Sequence, residues 1–95
     1  MDADWVALLA VLEETRVCLA RPDNDFSWSS FGDAEAALEE LDLFTAAVRQ
    51  GGPIPLALTV LFAPTGPIQE VALSSGWGDE FLVLAERFDA TVSPR

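Results

Sequence analysis

The sequence predicts a small α+β domain of order α-α-β-β-α. Three observations predict it. Two long segments carry apolar residues at helical spacing, two short segments rich in apolar and β-branched residues are joined by a Pro-Thr-Gly-Pro link, and a last amphipathic segment follows a Gly-Trp-Gly bend. The length, 95 residues, fits one domain. The composition, 51% hydrophobic and 22% charged, is that of a chain with a core.

The first helix is expected over about Asp4–Ala20. Asp2 and Asp4 stand at its positive end, and Arg21 with Pro22 stop it. At about 100° per residue, Trp5, Leu8, Val11, Leu12, Thr15, Cys18 and Leu19 form one broad arc. Val6, Ala10 and Val17 form a second stripe on another side. A helix apolar on two sides is buried twice, or faces a second subunit, and a homodimer is expected from it.

The loop 21–30 follows, and its Phe26-Ser27-Trp28 alternation suggests a short third edge strand at 26–28. The second helix is expected over about Phe31–Gln50, with Ser30 as N-cap, Asp33 at N3 and Gly51-Gly52-Pro53 as the stop. Ala34, Ala37, Leu38, Leu41, Phe44, Thr45 and Val48 share one face; Glu35, Glu39, Glu40 and Asp42 point elsewhere.

Strands are expected over Leu56–Ala63 and Ile68–Ser74, joined as an antiparallel hairpin through Pro64-Thr65-Gly66-Pro67. Leu56, Leu58, Val60 and Phe62 would alternate onto one face, with Val71 and Leu73 opposite them. Such a hairpin needs its edges covered by helices, by a third strand or by a second copy. The last helix is expected over about Asp79–Asp89, with Asp79 as its cap and the tail Ala90–Arg95 frayed.

Composition excludes much chemistry. The chain has no His and no Lys, and hence no imidazole base, no Schiff-base lysine and no P-loop lysine. No cofactor or metal is expected. The formal net charge is -11, and Arg16, Arg21, Arg49, Arg87 and Arg95 are dispersed, which argues against nucleic acid. The longest apolar run, Trp5–Leu12, is too short to span a membrane. One Cys and an N-terminus without a basic leader suggest the cytoplasm.

Three short motifs have plainer explanations than a functional one. Gly78-Asp79-Glu80-Phe81 resembles the end of the GGDEF signature of diguanylate cyclases, but Trp77 replaces the first Gly and the match covers four residues, so the string is read as a helix start. Asp23-Asn24-Asp25 fails as a calcium loop, because Trp28 and Ala34 stand where Gly and Glu belong. Cys18 reads as a small core hydrophobe.

What remains is an acidic interaction module without catalysis, such as an inhibitor or immunity-like protein acting on a basic partner. Phe26, Trp28, Glu35, Glu39, Glu40 and Trp77 are its candidate partner-binding residues. The alternative is a small-ligand binder or carboxylate-based enzyme with a pocket formed by Trp28, Trp77, Asp79 and Glu80.

Overall fold

A computed structural model describes residues 3–51 and 53–92. Expectations about Asp2, Gly52 and residues 93–95 lie outside the described residues. Among those described the chain forms five α-helices and no strand: α1 (Ala3–Leu19), α2 (Ala34–Arg49), α3 (Leu56–Leu61), α4 (Pro67–Ser75) and α5 (Gly78–Val92). The α+β expectation is therefore corrected to an all-helical fold.

The error lies in the period. Segment 56–63 buries Leu58, Leu61 and Phe62 and leaves Leu56 and Val60 exposed. Segment 67–75 buries Ile68, Val71 and Ala72 and exposes Leu73. Both sets recur at i, i+3, i+4, which is one face of a helix and not one face of a strand. The supposed hairpin turn is a helix-to-helix connection. Gly66 is the N-cap of α4 and Pro67 stands in its first turn, where a missing N–H costs nothing. Gly76 ends α4 at φ +88°, which lets the Trp77 N–H reach back to the Ala72 carbonyl at 2.9 Å.

Two further boundaries move. α2 begins at Ala34, because Asp33, and not Ser30, caps it by accepting from the Ala36 N–H at 2.8 Å. Phe31 precedes the helix and is buried. α5 runs on to Val92, so residues 90–92, expected to fray, are helical, and Asp79 and Glu80 lie inside its first turn. The expected edge strand at 26–28 is irregular chain: Asp25 Oδ1 accepts from the Ser27 N–H at 2.9 Å, and the Ser29 N–H bonds Phe26 O at 3.1 Å.

α1 is the central helix. Its broad arc packs between α2 and α5, and α4 packs on α5. Cross-links fix both neighbours antiparallel to it. Trp5 Nε1 donates to Val48 O at 3.0 Å, and Arg16 meets Asp42, so α2 runs down one flank. Glu14 meets Arg87 and Arg21 meets Glu80, so α5 runs down the other. Thr15 is fully buried, with its hydroxyl donating to Val11 O at 2.7 Å. Phe62 and Phe88 stack at 4.3 Å between centroids, which seats the end of α3 on α5. Among the described residues no helix is long and apolar enough to cross a membrane.

Candidate functional site

The expected aromatic cluster does not gather at one place. Trp77 is 3% exposed, Phe31 is buried and Phe26 packs partly against the core, whereas Trp28 is 77% exposed. The burial of Trp77 follows from the α4–α5 corner: the left-handed Gly76 turns the chain inward, and the indole finds a polar partner there. Its Nε1–H donates to Asn24 Oδ1 at 2.9 Å, and the Asn24 amide donates to Cys18 O at 2.8 Å and Leu19 O at 3.1 Å. Asn24 thus closes the C-terminal carbonyls of α1. The Arg21 guanidinium lies over the Trp77 ring, 5.7 Å from its centroid, and grips Glu80 through two bonds of 3.2 and 2.7 Å. Of the four residues expected to surround a ligand, Trp77 and Glu80 are engaged in this corner, and Trp28 and Asp79 are exposed.

The acids of α2 divide by helical geometry. Successive residues step about 100° around the axis. Glu35, Glu39 and Asp42 lie on the exposed side of α2, away from its buried stripe Ala37, Leu41 and Val48, while Glu40 turns nearer to that stripe and is half-buried. With Leu38, Leu43 and Arg16, the one residue α1 contributes, they line a shallow groove of about 470 Å³ along α2. Leu38 packs against the core beneath it, and Leu43 is 69% exposed at its edge. This is the leucine that stands out of phase on the polar face of α2.

One ion pair bounds the groove. Arg16 Nε and NH2 donate to the two Asp42 oxygens at 2.8 and 3.1 Å. The bound guanidinium holds the Asp42 carboxyl below its ordinary range. Beyond the pair a second depression of about 330 Å³ is lined by Leu12, Glu13, Thr45 and Arg49. The groove along α2 and the hollow in the α1–α2 seam thus meet at this salt bridge. Glu35 and Glu39 have no cationic partner among the described residues. A depression on the opposite side is floored by Phe62, Phe81 and Ala85, with Glu86 and Asp89 on its rim.

The chemistry on offer in the groove is charge and apolar surface. Among the described residues no set of three His, Cys, Asp or Glu is placed to hold a metal ion. Cys18 is buried, and that burial pushes its thiol pKa up, away from a nucleophilic thiolate. No buried side-chain nitrogen or oxygen among the described residues lacks a partner. Glu35 and Glu39 were legible in the sequence as an acidic face, as was Leu38 on the apolar face; the groove was not, because Arg16 joins it only through the packing of α1 beside α2. Comparison with protein-family models, with curated proteins and with solved structures finds no match to this chain.

Proposed function

We propose that this chain is a non-catalytic interaction module that docks a basic protein in the groove along α2, in the manner of an acidic inhibitor. The observation that carries this reading is the pairing of Glu35 and Glu39, without cations of their own, with the apolar surface of Leu38 and Leu43. Acid around an apolar floor is the pattern of a docking surface rimmed by charge. The net charge of -11 would steer a basic partner to it and quicken the encounter. The lone, buried Cys18 supports a reducing compartment such as the cytoplasm.

The test is capture of a binding protein from source lysate at low salt, with wild type beside the double variant Glu35→Lys, Glu39→Lys. One basic protein held in stoichiometric amount by wild type and lost by the variant supports the reading. Equal capture by both, or capture of nothing basic, removes the groove from consideration.

A second reading rests on a separate surface. The stripe Val6, Ala10 and Val17 lies on the side of α1 away from α2 and α5, with Val6 59% and Val17 64% exposed. It suits a homodimer across α1.

A further inference from the structure

Resting on the basic-partner reading above, we infer that the groove takes a helix presenting two arginines one turn apart, with an apolar side chain beside them, laid along α2 so that the arginines meet Glu35 and Glu39. The inference starts from the arrangement of the flank. Glu35, Glu39 and Asp42 follow one another at intervals of four and three residues, so each lies about one turn from the next. Asp42, the third step, already holds an arginine. That arginine, Arg16, comes from a neighbouring antiparallel helix and binds through both of its forked nitrogens. The fold thus contains one worked instance of how this flank receives a helix-borne guanidinium.

Among the described residues the two remaining steps have no such partner. Arg16, Arg21 and Arg87 are each committed to Asp42, Glu80 and Glu14, and Arg49 lines the hollow beyond the salt bridge. The occupant must therefore bring its own cations. A second copy of this chain is a poor source, since it carries the same charge of -11 and no Lys. Arg16 shows the backbone that serves here, since a guanidinium carried on a helix already reaches this side of α2. A helix with arginines at i and i+4 carries the residue at i+3 on the same side, within reach of Leu38 and Leu43.

The probes are two synthetic peptides of the same composition, about 16 residues each so as to be helical. The first has arginines at i and i+4 with leucine at i+3 and i+7; the second places the arginines on the opposite face. Binding is followed by calorimetry and by amide NMR shifts of the whole chain at low salt. The first peptide should bind at least about tenfold more tightly, since two charge-assisted pairs depend on its register, and should shift amides over 35–43. Glu39→Arg should abolish that preference, and a peptide with glutamate in place of the facing arginine should restore it. Equal binding of the two peptides, no binding of either, or shifts centred elsewhere overturns the inference. If the peptides fail while lysate capture still depends on Glu35 and Glu39, the helical ladder is wrong and the basic-partner reading stands. If capture is also indifferent to those residues, both fall.

Discussion

The indole N–H of Trp77 donates to the side-chain oxygen of Asn24, 53 residues earlier, while the amide nitrogen of the same Asn24 closes the end of α1. One short polar side chain thus joins the last turn of the central helix to the α4–α5 corner. Removing it has two costs. Asn24→Ala frees two carbonyls and leaves a buried indole N–H unpaired, which together cost about 2–3 kcal/mol. Trp77→Phe removes the donor along with part of the ring and costs about 1–2 kcal/mol. Urea unfolding of the double variant should show a loss smaller than the sum, by about 1 kcal/mol. Strict additivity would mean that the bond does not link the two elements.

The adjacent residues Thr65 and Gly66 should respond in opposite senses. A Cβ on Gly66 would stand 2.7 Å from Val60 O and 2.9 Å from Ala63 O, both backbone atoms that cannot swing aside. Gly66→Ala should therefore cost about 2 kcal/mol or more, through displacement of the α3–α4 connection. Thr65 sits at φ +62°, a strained conformation for a β-branched residue. Thr65→Gly should raise stability by about 0.5–1 kcal/mol, since relief of that strain outweighs the added freedom of the unfolded chain. Thermal unfolding of both variants checks the pair of signs.

The same connection shows how far the sequence could be read. The existence of α1, α2 and α5 follows from apolar spacing sustained over segments of about three turns or more, and Pro22 and Gly51 mark two of their ends. Segments 56–61 and 67–75 span six and nine residues, too short for periodicity to separate a buried helix from a strand. Pro67 and Gly76 did carry the answer, as a first-turn proline and a left-handed helix stop, but Pro-Thr-Gly-Pro is equally good turn chemistry. At the candidate site, Glu35 and Glu39 were visible as charge on one helix. The groove was not, because Arg16 becomes one of its walls only through the α1–α2 packing. Trp77, expected as a partner-binding or pocket residue beside the Gly-Trp-Gly bend, is instead carried into the core after Gly76.

Three ion pairs, two from α1 and one from Arg21 just past its end, tie this stretch to α2 and α5, and each should leave a mark on the acid side of the pH profile. Bonds from Arg87, Arg16 and Arg21 hold Glu14, Asp42 and Glu80 below their ordinary values of 4.5, 3.8 and 4.5. A lowered folded-state pKa means stabilisation that is present above the ordinary value and is lost as pH falls through the folded one. The triple variant Glu14→Gln, Asp42→Asn, Glu80→Gln should therefore be less stable than wild type at neutral pH. The gap should narrow below pH 4.5 and close once the wild-type carboxylates are protonated. The pairs are largely exposed, so the neutral-pH difference should be small. Neutralising three acids also takes the net charge from -11 to -8 (-11 + 3), which by itself favours the folded state. A deficit at neutral pH is then assignable to the lost pairs, and a gap unchanged down to about pH 3 would assign it elsewhere.

The acidic face of α2 and the outer stripe of α1 can be separated by their response to salt. Docking of a basic partner at Glu35 and Glu39 joins opposite charges and should weaken from about 50 to about 500 mM salt, as screening shortens the reach of the attraction. A homodimer across Val6, Ala10 and Val17 brings together two chains of charge -11, so screening should strengthen it. Light scattering on a sizing column should return about twice the 10.2 kDa chain mass, and a larger dimer fraction at the higher salt. Val17→Glu should return the monomer and keep the fold, because that side chain is already 64% exposed. A chain that runs as a monomer at micromolar concentration in both buffers would leave the outer stripe of α1 as ordinary exposed apolar surface.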